Sequence, residues 1–161
     1  MDLLQRAREL YVAGRMHDAL EVAQAACDRA PKNADAWVLL GRISRFTGMP
    51  AASDLAFRKA ATLAKRKTQP YRVPPDRFDQ LIGQAQRKLS PDARRRLERT
   101  AVRVQALPSV DQVRAGVDPD ALTARVRHPQ DVLTVFQVNH ENRASSEDAL
   151  RALITRSLSR A

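Results

Sequence analysis

Cysteine, aromatic residues and glycine are all scarce in this chain of 161 residues. The single cysteine, Cys27, excludes an internal disulfide framework and favours a reducing compartment, so we expect a cytoplasmic location. Aromatic residues make up 4% and glycines number 5, which disfavours a base-stacking surface and a glycine-rich phosphate loop. No apolar run approaches the roughly 20 residues of a membrane-spanning helix, and the N-terminal segment is not a signal peptide in pattern. We therefore expect no membrane partner.

Histidine is rare as well, and the three are His17, His128 and His140. A helical zinc-peptidase motif needs two histidines four residues apart, so that both imidazoles lie on one helix face beside a glutamate. The pair His140–Glu141 begins such a motif, but Ala144 stands where the second histidine is needed. The sequence therefore predicts no metal site, no catalytic residue and no cofactor.

Because no metal site is predicted, we expect His128, His140 and Glu141 to lie at the surface. We expect His128 and His140 to lie in exposed loops, since lone histidines are common there. Glu141 is expected to be a loop carboxylate close to Arg143. A serine mechanism is disfavoured, because none of the nearby serines has a convincing His/Asp set in the sequence: Ser145, Ser146, Ser157 and Ser159.

Positive charge and helix-forming residues are what the chain has in excess. Lys and Arg together number 28 against 18 Asp and Glu, for a net charge of +10. Evenly spread arginine is typical of a solvated surface, and it also fits attraction to an acidic partner. The hydrophobic content of 43%, rich in alanine and leucine, indicates a folded and mainly helical chain.

The first half of the chain repeats with a period of 34 residues. The recurring pairs are Leu3 and Trp37, Ala7 and Gly41, Gly14 and Gly48, Ala23 and Phe57, and Ala26 and Ala60. Each unit is predicted to form two helices around a glycine turn, because glycine permits the left-handed backbone that a tight turn needs. The predicted helices are roughly 2–13, 16–29, 34–47 and 50–66.

This repeat resembles a pair of tetratricopeptide repeats, most closely in the second unit with its "WVLLG", Gly48, Phe57 and Ala60. The resemblance implies a concave groove, lined by the first helix of each unit, that takes an extended peptide or a partner helix. Carried onto this chain, the peptide-binding positions are Leu4, Arg8, Tyr11, Val38, Arg42 and Arg45. Because arginine binds carboxylates in a bidentate fork, these positions suit an acidic peptide or protein. The alternative is that the arginines merely face solvent.

Two repeats are few, because repeat arrays usually need about three units to bury a continuous core. An amphipathic helix is predicted at 75–89, with apolar residues at Phe78, Leu81, Ile82, Ala85 and Leu89 on one face. We expect that helix to cover the exposed face of the helix at 50–66 and to join the two halves.

Beyond the connector "KRKTQPYRVPP", residues 69–161 show a mixed pattern. A short helix capped by Ser90 follows the helix at 75–89, and "TAVRVQAL" alternates like a half-buried strand. The segment "PSVDQVRAG" is predicted to be a short helix or turn. A second strand is predicted at 131–139 and an amphipathic helix at 145–158.

This order resembles the minimal zincin-like metallopeptidase family of bacteria. The resemblance rests on "FDQLIGQAQRKLSPDARRRLERTAVRVQALPS", "AGVDPDAL" and "VLTVFQVNHENRASSEDALRALITRSL". In the family, a His-Glu-x-x-His motif lies on the last helix. Here Arg156 and Arg160 hold the histidine positions and Ser157 holds the glutamate position. A guanidinium stays protonated and cannot coordinate zinc, so the resemblance implies a degenerate domain, with a shortened strand in "DALTARVRHPQD".

The sequence therefore predicts a mainly α chain with a small α+β part. Tetratricopeptide-like hairpins are expected at 1–68 and a degenerate zincin-like domain at 69–161. The predicted function is a non-catalytic interaction or regulatory protein that binds a partner protein or acidic peptide. Two alternatives stay open: a basic nucleic-acid-binding protein, and a metallopeptidase that is active only with ligands from a partner.

Overall fold

The computed structural model describes residues 2–161, in which helices predominate. In chain order the elements are α1 (Leu3–Val12), α2 (Met16–Arg29), α3 (Ala34–Phe46), α4 (Pro50–Leu63), α5 (Pro75–Arg87), α6 (Pro91–Leu97), β1 (Ala101–Gln105), α7 (Val110–Arg114), β2 (Thr123–Val126), β3 (Val132–Phe136), α8 (Gln137–Glu141) and α9 (Glu147–Ser159). The predicted fold class, helical hairpins followed by a small α+β part, is confirmed.

The chain divides into two compact units, and one of them is discontinuous in sequence. Unit 1 comprises Met1–Gln69 with Ser109–Asp120, and unit 2 comprises Pro70–Pro108 with Ala121–Ala161. The sequence placed all of 69–161 in a single domain. The structure instead groups Ser109–Asp120, which lies in sequence between β1 and β2, with the N-terminal helices.

Unit 1 consists of two helical hairpins whose ends are set by local chemistry. The Asp2 carboxylate accepts a hydrogen bond from the Gln5 amide to cap α1, and the Asn33 side chain accepts one from Asp35 to cap α3. Each hairpin turn ends in a glycine with positive φ, 78° at Gly14 and 73° at Gly48. The two predicted glycine turns are therefore present, because this backbone conformation is unfavourable for side chains with a Cβ.

Close approach of α3 to α4 depends on small residues. Gly41 faces the ring of Phe57, and a Cβ at position 41 would lie 2.9 Å from that ring. The hydroxyl of Ser53, which is fully buried, donates to the Gly41 carbonyl at 2.5 Å. The predicted reason for a small residue at this repeat position is thus visible as contact between the two helices.

The segment Ser109–Asp120 contributes α7 to unit 1. A capping box begins this helix: the Ser109 hydroxyl accepts from the Gln112 amide and the Gln112 side chain accepts from the Ser109 amide. Val113 is 2% exposed and belongs to the core formed by α1, α2 and α3, and Val110 packs against that core. The segment is therefore an integral part of the hydrophobic core of unit 1.

Unit 2 contains a three-stranded sheet in the order β1-β3-β2. β1 pairs with β3 in parallel, with Val102 opposite Leu133, and β2 pairs with β3 antiparallel, with Ala124 opposite Thr134. Helices α5 and α9 pack against each other, and the core includes Phe78, Leu81, Leu133, Leu150 and Ile154.

Two expectations for this half were wrong. The strand predicted at 131–139 ends at Phe136, and the following residues form α8, at whose end the Asn142 amide donates to the Val138 carbonyl. The helix predicted to cover α4 instead buries its apolar face in the core of unit 2 against α9. Leu55 on α4 is 62% exposed.

Candidate functional site

The carboxylate of Asp120, at the end of the segment Ser109–Asp120, lies against α1 and α3 of unit 1. The Tyr11 hydroxyl donates to Oδ1 of Asp120 at 2.7 Å. Nη1 of Arg42 lies 3.2 Å from Oδ2 of the same carboxylate and forms an ion pair with it. Each oxygen of Asp120 therefore has a donor in unit 1, one neutral and one cationic, which is a pattern suited to carboxylate recognition.

Burial keeps the Tyr11 donor in its neutral form. Tyr11 is 2% exposed and its ring meets Phe46 edge to face, with centroids 5.6 Å apart. Burial raises the pKa of Tyr11 well above its usual value, and the nearby negative charge and hydrogen bond of Asp120 raise it further. The hydroxyl therefore keeps its proton throughout the physiological pH range and remains a donor.

Further contacts hold the segment in place along unit 1. Nη2 of Arg114 donates to the Gly14 carbonyl at 3.4 Å. A Cβ on Gly14 would lie 2.8 Å from Cγ of Arg114, so the turn glycine also makes room for this side chain. The Asp120 amide donates to the Asp118 carboxylate at 2.8 Å, which closes a local turn just before the docked carboxylate.

In unit 2, His140 is buried, so its expected place in an exposed loop was wrong. His140 is 0% exposed and lies in α8, with Nδ1 2.8 Å from the Phe136 carbonyl and Nε2 2.8 Å from Oγ of Ser157. Because a carbonyl only accepts, Nδ1 carries the proton and the Ser157 hydroxyl donates to Nε2. Burial lowers the pKa of His140 to about 4, with a further contribution from the positive charge of Arg143.

Glu141 also differs from the expected loop carboxylate near Arg143. It lies in α8 and is 3% exposed. Its Oε2 accepts from the Val73 amide at 2.9 Å, and its Oε1 lies 3.4 Å from Nη1 of Arg72. Glu141 is therefore a buried carboxylate whose partners include the Arg72 side chain and the Val73 amide, not a carboxylate in an exposed loop. His128, by contrast, is exposed and lies outside any helix or strand, as expected.

The positions that the zincin-like resemblance assigns to zinc chemistry border one cleft of unit 2. A cavity of about 480 Å³ is lined by Ala121, Leu122, Thr123, Arg143, Leu153, Arg156, Ser157 and Arg160. Within residues 2–161, no group of three His, Cys, Asp and Glu side chains comes together in a way that would hold a metal ion. The cleft is therefore bordered by arginines rather than by ligands for zinc.

Comparison with known proteins bears on unit 1. Residues 2–43 match the tetratricopeptide repeat family model. This match covers α1, α2 and most of α3. Comparison with curated proteins gave no match, and comparison with solved structures gave none either. The N-terminal helices thus resemble tetratricopeptide repeats in both sequence and hairpin arrangement, whereas the zincin-like resemblance stays a prediction.

On the tetratricopeptide-like helices, the structure brings together two of the six predicted groove residues. These two are Tyr11 and Arg42, which meet at Asp120. Arg45 turns towards α4, where its Nη2 lies 3.4 Å from the Asp54 carboxylate. The remaining three are the exposed Arg8 and the half-buried Leu4 and Val38.

Sequence reasoning missed the internal partner of these residues. The acidic segment "GVDPD" at 116–120 was the available signal, but nothing in its spacing links it to Tyr11 or Arg42. Unit 1 also has a mainly apolar cavity of about 690 Å³, which is bordered by residues of α2, α3 and α4. Its border includes Leu20, Trp37, Leu40, Met49 and Leu55.

No helix within residues 2–161 has the length and apolar character needed to cross a membrane.

Proposed function

We propose that the chain is a protein-interaction module whose tetratricopeptide-like helices bind an acidic segment of a partner protein. The single observation that carries this proposal is the Asp120 carboxylate, which receives one donor from Tyr11 and one from Arg42. This chain's own segment occupies the face of α1 and α3 and displays the chemistry that the face accepts. A partner would place a carboxylate at the same two donors.

Burial and charge make this face selective for a carboxylate. Tyr11 is a buried donor that lacks a comparable partner once Asp120 leaves, and an unmatched buried donor is costly. Arg42 adds the positive charge, and its side chain is only about one third exposed. A partner segment with an aspartate or glutamate satisfies both groups, whereas a neutral segment satisfies only the tyrosine.

Occupation by Ser109–Asp120 means that a partner competes with an internal segment. A tethered segment has an effective concentration of the order of millimolar, so an external peptide binds weakly while the internal one remains docked. The face is therefore proposed to act in a regulated manner: it is open to a partner when the Asp120 end of the segment detaches, while Val113 stays in the core of unit 1.

We further propose that unit 2 is non-catalytic. Arg156 and Arg160 are permanently protonated and cannot replace the imidazoles of a zinc site. The serine–histidine contact of Ser157 with His140 pairs the hydroxyl with an imidazole whose pKa is lowered to about 4 by burial. Such an imidazole is a weak base, and its Nδ1 bonds to a backbone carbonyl rather than to a carboxylate that would raise its basicity.

The experiment uses a fluorescent peptide with the sequence of residues 109–120 as the probe and the full chain as the receptor. We expect Asp120→Asn in the full chain to bind the peptide about tenfold more tightly than the original chain, because the internal occupant loses its charge. Fluorescence anisotropy measures the dissociation constant. Adding Arg42→Gln to the Asp120→Asn chain is expected to remove this gain.

The matched control is Arg6→Gln in the Asp120→Asn chain, since Arg6 is an exposed arginine of α1, the helix that carries Tyr11. It removes one positive charge and should leave peptide affinity unchanged. Arg42 is tested without Arg45, because the latter pairs with Asp54 on α4. Equal peptide affinity with and without Arg42→Gln would refute the assigned face.

A further inference from the structure

We infer that the cleft between the start of β2 and the last turns of α9 is a binding site for a phosphate-type dianion. Three arginines border this cleft of about 480 Å³: Arg143, Arg156 and Arg160. Its other polar side chains are the hydroxyls of Thr123 and Ser157. This inference concerns unit 2 alone and does not depend on the proposed peptide-binding face of unit 1.

Positive charge with no carboxylate on the cavity border is the main observation. No Asp or Glu side chain borders the cavity. Within residues 2–161, the guanidiniums of Arg156 and Arg160 form no ion pair and no hydrogen bond, whereas many other arginines of unit 2 are paired with carboxylates. Like charges gathered at one cleft repel one another, and a bound anion relieves that repulsion.

The end of helix α9 does not by itself account for the cluster. Positive side chains are favourable in the last turn of a helix, and Arg156 and Arg160 lie at the C-terminal end of α9. Arg143, however, lies outside α9, just after α8, and borders the same cavity. Its charge contributes to the lowered pKa of the neighbouring His140, so its positive field extends into this region.

The hydroxyl groups refine the chemistry of the site. Ser157 donates its proton to Nε2 of His140, so its oxygen offers the cleft only lone pairs. The donors for an anion are therefore the three guanidiniums and the Thr123 hydroxyl. This set matches a phosphate group, whose terminal oxygens accept several arginine hydrogen bonds at once, better than a single carboxylate with two oxygens.

The size of the cleft leaves room for the group that carries the phosphate. Its volume lies within the ordinary range of small-molecule sites, about 300 to 1,000 Å³. The phosphate is thus expected either free or as a monoester on a larger molecule. A phosphorylated protein side chain and a small phosphorylated metabolite present the same terminal group, and the experiment separates these sources.

The test titrates inorganic phosphate into the isotopically labelled full chain and follows amide chemical shifts by NMR at low ionic strength. We expect saturable shifts at Thr123, Arg143, Ser157 and Arg160, and at least a tenfold weaker affinity after Arg156→Gln with Arg160→Gln. The matched control, Arg99→Gln with Arg103→Gln, removes the same charge from exposed arginines of unit 2 that do not border the cleft, and should leave the affinity unchanged.

Three further ligands separate the possible sources of the anion. Acetate should shift the same amides much more weakly than phosphate, because it carries one charge and two oxygens. A phosphoserine peptide that binds more tightly than inorganic phosphate, while its unphosphorylated copy does not bind, identifies a protein side chain as the source. Tighter binding of inorganic phosphate identifies a free phosphate or small monoester.

Several outcomes would overturn the inference. Linear shifts without saturation, or an equal loss of affinity in the Arg99→Gln/Arg103→Gln control, would indicate only a general effect of net charge. Binding of a single-stranded oligonucleotide in preference to every phosphate monoester would assign the arginines to nucleic acid instead. The exposed arginines are not core residues, so far-UV circular dichroism should confirm that both double variants are folded.

Discussion

At the scale of single residues, burial decides the chemistry of His140. The side chain is 0% exposed, and its two ring nitrogens contact the Phe136 carbonyl and the Ser157 hydroxyl. Its pKa falls to about 4 because charging the imidazole in this place would cost solvation. The neutral form therefore stabilises the native state, and protonation opposes it.

We predict that His140 makes unit 2 sensitive to mild acid. The unfolded chain takes up a proton near pH 6.5 and the folded chain only near pH 4, so the stabilisation is complete above pH 6.5 and is lost as the pH falls towards 4. The shift corresponds to about 3 kcal/mol of unfolding free energy. Urea unfolding at pH 7 and pH 4.5, followed by circular dichroism, measures it.

The comparison variant for this prediction is His140→Gln, since glutamine keeps a donor and an acceptor but does not titrate. The carboxylates of Asp131 and Glu147, whose pKa values are lowered mainly by hydrogen bonds to arginine, lose stabilisation at low pH in both chains. Their effect cancels when the pH dependence of the unfolding free energy of one chain is subtracted from that of the other. An identical pH dependence in the two chains would show that His140 is not held in its neutral form by the fold.

At the scale of elements, helix packing in unit 1 depends on where a side chain is missing. Gly41 in α3 faces the ring of Phe57, and a Cβ added at Gly41 would lie 2.9 Å from that ring, which is closer than ordinary contact. Gly83 in α5 also lies inside a helix, but the nearest neighbour of a Cβ there would be the end of the Arg87 side chain at 3.7 Å. The two glycines therefore have the same helix propensity, but only Gly41 lacks space for a Cβ.

We predict opposite effects for alanine at these two positions. Gly83→Ala should stabilise the chain by up to about 1 kcal/mol, because alanine is the better helix former. Gly41→Ala should destabilise it by about 1 to 3 kcal/mol, because Phe57 must move and that cost exceeds the gain in propensity. Chemical denaturation measures both, and stabilisation by Gly41→Ala would contradict the close contact between α3 and α4.

At the scale of the whole molecule, unit 1 is completed by a stretch of chain that is distant in sequence. Val113 lies between β1 and β2 in sequence, yet it is 2% exposed in the core of α1, α2 and α3. The only tryptophan of the chain, Trp37, lies in α3 and donates from Nε1 to the Pro31 carbonyl at 2.9 Å. Its fluorescence therefore reports on unit 1.

We predict that Val113→Ala lowers the unfolding free energy reported by Trp37 fluorescence by about 1 to 3 kcal/mol, because it removes buried methyl groups from the core of unit 1. The control is Val104→Ala in β1 of unit 2, where the side chain is 37% exposed. It should leave the Trp37 transition unchanged. If Val113→Ala left the Trp37 unfolding transition unchanged, the segment would not contribute to the stability of unit 1.

The sequence by itself determined the local features of this protein. The 34-residue period and the glycines at 14 and 48 predicted four helices and two turns, because side-chain periodicity and backbone conformation act between near neighbours. The predicted fold class was therefore confirmed. The strand β2 appeared in the prediction only as a shortened strand within "DALTARVRHPQD", because four residues carry little periodicity.

Only the tertiary structure decided which distant residues meet. Tyr11 and Arg42 were singled out through a family resemblance, but their contact with Asp120 spans 109 and 78 residues of sequence. His140 and Ser157 lie 17 residues apart and become partners only through the packing of α8 on α9. Such contacts depend on how whole elements pack, and no local pattern of side chains specifies that packing.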